Sequence, residues 1–187
     1  LDDARNLARL MVSIGKISGR KVVAILSDMN QPLGWAIGNA LELKEAIQVL
    51  QGNGPADLQE HCMEVASHML VLGQKAHDLE TARKMIKETI AKGKAWQKFR
   101  ELIQAQQGDI RFVDDPARLP VASLIESVPA PVSGYLMSLN AREVGETSVA
   151  LGAGRAKKGD PIDHAVGILV HHKVGDRIEK GKDLFTI

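Results

Sequence analysis

The chain has 187 residues, 24 of them Lys or Arg and 23 Asp or Glu, for a formal charge of +1. With its cations dispersed, that balance gives no support for a nucleic-acid surface or a polybasic membrane patch, and no apolar run approaches the ~20 residues of a membrane-spanning helix. The single cysteine, Cys62, rules out an intrachain disulfide and fits a reducing, cytoplasmic setting.

Asp2 and Asp3 can cap a helix over residues 3–17, with Leu7, Leu10, Met11 and Ile14 as its apolar stripe and Gly15 and Ser18-Gly19 as its stop. The following segment, Val22 to Leu26, is continuously apolar and predicts a strand over 21–28, buried on both faces as in a parallel sheet. Helix, strand, helix is the α/β rhythm.

Ser27 to Ala46 is a turn-rich stretch feeding a helix that carries Glu42 and Glu45. It stands at the carboxyl end of the expected strand, where open α/β sheets keep their ligand sites. A turn at Pro32-Leu33-Gly34 can aim backbone carbonyls at one point. Carbonyl oxygens with one carboxylate suit a hard cation. A loop followed by a solvated helix has the same local pattern.

Further helices follow. One runs from Asn39 to about Leu50 and is stopped by Gly52-Asn53-Gly54-Pro55. A longer one places Leu58, Cys62, Val65, Met69 and Leu72 on one stripe, which predicts an inert core thiol at Cys62. A third spans Leu79 to Ala91 behind an Asp78 cap, and Trp96, Phe99 and Ile103 mark a fourth that ends near Gly108. A lone strand among helices cannot make a parallel sheet, so its partner strands are expected upstream. The start at Leu1 fits either a processed protein or a fragment, and the end on Phe185-Thr186-Ile187 reads as a strand without a tail.

The character changes after Gly108. Short β-type segments are expected at Ser123–Val128, Gly134–Ser138, Ile162–His171 and Arg177–Ile187, with one helix from about Ala141 to Val149. The predicted organisation is α/β plus α+β. Residues 1–112 form part of a mixed, mostly helical α/β domain, and residues 113–187 form a small α+β domain.

Two segments of the second part carry chemistry-bearing residues. Leu151 to Asp160, LGAGRAKKGD, could bind an anion through backbone N–H groups and Arg155. It matches neither a Walker loop nor a dinucleotide fingerprint, and a tight turn with solvated lysines explains it as well. Ala130–Tyr135 with Val174–Gly181 resembles the biotinyl/lipoyl hammerhead pattern. A swinging-arm carrier needs an exposed lysine at a hairpin tip, and Lys157 and Lys158 lie in the glycine loop instead. The six histidines fall into no metal-ligand or catalytic grouping, and surface or packing roles are expected for them.

The Ser27–Ala46 run, with Asp28-Met29, Gln31-Pro32-Leu33-Gly34 and Gly38-Asn39-Ala40, closely resembles a segment of the pyrimidine-nucleoside and thymidine phosphorylases. The likeness extends over all 187 residues, including the GAGRAKK stretch, and maps to the C-terminal portion of a family member. It implies a hammerhead-like C-terminal domain and a parent enzyme that cleaves uridine or thymidine with phosphate. The products would be the free base and a pentose 1-phosphate. It further implies a cytoplasmic homodimer and a potassium ion whose ligands fall on the carbonyls of Leu33 and Ala36 and the carboxylate of Glu45.

The family's phosphate loop, its Ser-Gly-Arg-Gly-Leu signature and its pyrimidine-reading arginine, serine and lysine do not occur in this sequence. No catalytic or substrate-binding residue is therefore assigned, and the chain alone is expected to be inactive. The alternatives are a non-catalytic hammerhead binding module and a structural fragment that complements a separate N-terminal chain.

Overall fold

The computed structural model describes all residues, 1–187. Helix α1 spans Asp2–Ile17, and no residue of it is buried. Leu7, Leu10, Met11 and Ile14 form the expected apolar face, yet each is more than half exposed. The amphipathic pattern is thus satisfied as a helix but has no covering layer within this chain.

The expected strand over 21–28 does not form. Residues 21–28 pair with no other segment, and Val23, Ile25 and Leu26 are exposed. A strand exists only through hydrogen bonds to neighbours, and none lies alongside. Gly15 of α1 instead lies against Val22, close enough that a β-carbon there would collide with it.

Strand β1, Ala36–Ile37, leads through Gly38 into α2, Asn39–Leu50. Gly38 adopts φ +129, and a β-carbon there would lie 2.6 Å from the Val166 carbonyl oxygen. Only glycine tolerates both. Helix α2 is held by Ile47, 1% exposed, whose burial contributes on the order of 1.5–3 kcal/mol.

Helices α3, Ala56–Leu72, and α4, Leu79–Ala91, form the closest helix pair. Ser67 and Ala82 are completely buried, and such small side chains let two helices approach. Arg83 of α4 bridges to Glu60 and Glu64 of α3. The Asp78 carboxylate caps α4 by accepting from the Thr81 amide at 2.7 Å, as expected. Cys62, by contrast, is exposed. The buried side of the helix is the one carrying Ser67, about 140° round the helix from Cys62, so the thiol is not part of the core.

Helix α5, Lys94–Ala105, and the short α6, Arg111–Asp114, lead into the second part. There β2 is Ser127–Pro129, β3 Gly134–Tyr135, α7 Ala141–Ala150, β4 Ile168–Val170, β5 Arg177–Ile178 and β6 Asp183–Thr186. Asn140 caps α7 by accepting from the amides of Arg142 and Glu143. One antiparallel sheet has the order β1-β4-β6-β2, and β3 pairs with β5 in a separate two-stranded sheet. The core beneath α7 consists of Leu139, Val144, Ile168 and Val170, backed by Ile37, Leu136, Phe185 and Ile187.

The chain is therefore a mixed α/β molecule with small antiparallel sheets. Its larger sheet draws β1 from the helical part and β2, β4 and β6 from the C-terminal part. Ala36 pairs with Leu169 and Ile37 with Ile168. That ladder places the turn before β1 against the loop after β4.

Candidate functional site

The turn from Gln31 to Ala36 is fastened on every side. Glu45, on the second turn of α2, reaches back so that its Oε1 accepts from the amides of Trp35 at 2.8 Å and Ala36 at 3.2 Å. Asp57, in the first turn of α3, accepts from the Gly34 amide at 3.2 Å. Lys173, three residues beyond β4, donates from Nζ to the Pro32 carbonyl at 2.6 Å and to the Gly34 carbonyl. The same ammonium pairs with Asp57 Oδ2 at 2.9 Å. Beside it, the Val174 amide donates to Gln31 Oε1 at 2.9 Å.

Gly34 is required at the centre of this turn. It adopts φ +71, and any β-carbon would run into the Glu45 carboxylate. The backbone and the carboxylate therefore approach as closely as they can.

Glu45 is buried, with 7% of the residue exposed. Burial pushes its carboxyl above the ordinary value of 4.5, a tendency offset by the Trp35 and Ala36 amides. The nearby Asp57 charge adds to the rise, and Lys173 opposes it. Burial acts on Asp57 in the same upward sense, but the hydrogen bond and charge of Lys173, together with the Leu58 and Gly34 amides, outweigh it and hold that carboxyl below 3.8.

Of the residues expected to form the cation site, Leu33, Ala36 and Glu45 all border one cavity of about 410 Å³, together with Pro32, Glu42 and Leu58. Glu45 Oε2 accepts no hydrogen bond from the protein. No three His, Cys, Asp or Glu side chains gather closely enough to hold a metal ion. A cation here would thus need backbone carbonyls to complete its shell. An all-oxygen set with one buried carboxylate suits a hard, weakly charged ion better than zinc or another soft metal.

Glu42 stands apart from this set, its Oε1 accepting from the Gly38 amide at 2.9 Å.

Lys173 and Asp57 carried no signal in the sequence. Asp57 reads as an acid in the first turn of a helix, where the dipole favours one anyway. Lys173 follows His171-His172 as one more polar residue after an apolar strand. Only the β1–β4 ladder carries it across 141 positions to Pro32.

The other candidates are satisfied locally. In the glycine-rich loop, Arg155 donates to the Asp160 carbonyl at 3.1 Å, and the Asp160 carboxylate accepts from the Lys157 amide at 2.7 Å. Asn39 donates to the Ala153 carbonyl at 2.7 Å, tying the loop to the start of α2. The loop's own charged side chains Arg155 and Asp160 are thus taken up within it, as in a tight turn. His68 meets Glu64, His77 meets Asp78 and His171 meets Thr186, each a pairwise surface or packing contact.

Two family models match the chain. Residues 1–96 match the glycosyl transferase family a/b domain, and residues 135–187 match the pyrimidine nucleoside phosphorylase C-terminal domain. The chain is 50% identical over 187 residues to a pyrimidine-nucleoside phosphorylase of Geobacillus stearothermophilus, covering 100% of this chain and 43% of that relative. It is 49% identical over 186 residues to one of Bacillus subtilis (strain 168), again with 43% of the relative covered. One of Staphylococcus aureus (strain USA300) is 50% identical with the same coverage. The chain thus spans less than half the length of the curated relatives it matches.

Proposed function

The chain belongs to the pyrimidine-nucleoside phosphorylase family, and from that membership we propose that it forms part of an enzyme cleaving uridine or thymidine with phosphate. In that reaction phosphate oxygen bonds to C1′ as the N-glycosidic bond breaks, and the bonding pair leaves with the pyrimidine. The products are the free base and a ribose or deoxyribose 1-phosphate.

The contribution of these residues is positional. Leu33 and Ala36 offer carbonyls and Glu45 its carboxylate to a potassium ion. The observation that carries this reading is Glu45 itself: buried, braced through Oε1 on two amides of the turn, with no hydrogen bond to Oε2, and bordering the same cavity as Leu33 and Ala36. Leu33, Ala36 and Glu45 would hold the cation, which would supply a fixed positive charge beside the turn. Glu45 holds the backbone of the turn, and Gly34 permits the close approach. Residues 113–187 form the hammerhead-like C-terminal unit and residues 1–112 the partial α/β unit. The parent acts as a cytoplasmic homodimer.

The phosphate- and base-binding motifs of the family are not among these 187 residues, so the chain by itself is inactive. Uracil release from uridine and phosphate tests both statements. The full-length protein should release uracil and this chain should not. Turnover by the chain would defeat the second statement, and silence of the full-length protein toward both uridine and thymidine the first.

A further inference from the structure

Beneath the proposed cation ligands lies a second cluster, used by no step above. Lys173 is largely buried, its side chain 18% exposed. Its ammonium meets the carbonyls of Pro32 and Gly34 and the carboxylate of Asp57, while Asp57 also takes the Gly34 amide. The three oxygens around Nζ are distinct from Leu33, Ala36 and Glu45. The turn therefore presents two sets of oxygens. One is saturated by an ammonium built into the chain, and the other borders an open cavity.

We propose that Lys173 is the positioning residue of the Pro32–Ala36 turn. Its ammonium, anchored by Asp57, fixes alternate backbone groups of the turn so that Leu33, Ala36 and Glu45 converge on one point. The clamp stands on the geometry above; its service to a cation rests on the reading under Proposed function. Three physical consequences support it. A charged clamp is orientationally forgiving but strong, since an ammonium has three donors and meets three acceptors here. It neutralises Asp57, which otherwise adds to the repulsion on Glu45. It also links the C-terminal part to the turn, because Lys173 and Val174 both bind there from the loop after β4. Movement of the C-terminal part would thereby reach the cation ligands directly.

The test uses Lys173→Met in the full-length protein, with Lys180→Met, an exposed lysine of the same part, as control. Hydrogen exchange is followed at the amides of Gly34, Trp35 and Ala36 without potassium. Potassium half-saturation is followed by tryptophan fluorescence, since Trp35 stands on the turn, with choline chloride holding ionic strength constant. K173M should speed exchange at the three amides by roughly tenfold or more, with α4 amides unchanged. It should also raise the potassium half-saturation by about 10–100-fold, the range for residues that orient a metal's ligands. K180M should do neither.

Unchanged exchange in K173M overturns the clamp whatever potassium does. Faster exchange with unchanged potassium half-saturation overturns the positioning role and leaves a purely structural one. If the wild type does not respond to potassium and Glu45→Gln behaves identically, the cation reading fails, and the exchange result still decides the clamp. Should K173M not fold, Lys173→Gln, which keeps N–H donors but not the charge, is read by the same criteria.

Discussion

The carboxylate of Glu45 rests against the α-carbon of Gly34, eleven positions away in sequence, so closely that no β-carbon fits between them. Glycine at this position meets two demands at once, a left-handed backbone at φ +71 and the space a buried anion occupies. With Gly34 this near, the Trp35 and Ala36 amides both donate to Glu45 Oε1.

Gly34→Ala should therefore be severe. The left-handed conformation costs about 1–2 kcal/mol for a non-glycine residue, and displacing Glu45 would strip two amides of their acceptor at about 1–3 kcal/mol for a buried donor. Urea unfolding should record a loss of several kcal/mol, and the potassium response should disappear. A variant as stable as wild type would show that Glu45 can withdraw freely.

Potassium binding should weaken as pH falls. The Glu45 carboxyl titrates above 4.5 in the folded chain because of burial, and only its ionised form serves a cation. Potassium half-saturation should thus rise as pH drops from 7 toward the folded value. The same shift acts on stability with a definite sign. A raised carboxyl binds its proton more tightly when folded, so lowering pH through that window relieves the cost of the buried anion. Asp57 works the other way. Its lowered carboxyl contributes stability above 3.8 that is lost as pH falls through its folded value. Glu45→Gln should flatten the first dependence and leave the second; a potassium titration independent of pH in the wild type would contradict the assignment.

Ile168→Ala should test the seam between the two parts. Ile168 is 3% exposed, belongs to the core under α7, and pairs with Ile37 across the β1–β4 ladder. Removing a buried isoleucine side chain costs about 2–5 kcal/mol. Denaturant melts should show that loss, and the Pro32–Ala36 amides should exchange faster because Lys173 hangs from the same strand.

Leu10→Ser should be nearly silent in this chain. Leu10 is 58% exposed on α1, and surface substitutions usually change stability by less than about 0.5 kcal/mol. In the full-length protein the same change should cost more, since a helix face this apolar is built to be covered. Equal effects in the two contexts, read from their unfolding midpoints, would leave that face without a partner.

The helices were legible because their signals are local. The stop at Gly52-Asn53-Gly54-Pro55 and the Asp78 cap each act within a turn of the chain, and the elements begin and end where those residues stand. The strand over 21–28 failed for the opposite reason. Val22 to Leu26 has the composition of a buried strand, but a strand needs a neighbour, and composition cannot supply one. Strand β1 is the mirror case. Ala36-Ile37 sits inside a turn-rich stretch and becomes a strand only because Leu169 and Ile168 lie beside it. Cys62 shows how an apolar helical stripe can mislead, since the opposite side of the helix, carrying Ser67, took the buried face and left the thiol outside.

The helical framework, the turn at Pro32-Leu33-Gly34 and, through the likeness of Ser27–Ala46, the family are written in the order of the residues. These depend on residues near one another along the chain. How that turn is held depends instead on contacts made in three dimensions. Lys173 and Asp57 converge on it from 141 positions after Pro32 and 23 after Gly34. The physical reason is the β1–β4 ladder, whose backbone hydrogen bonds join the two parts and read no side chain on the way. A lysine after an apolar strand carries no mark of the carbonyls it will meet, and only the fold brings them together.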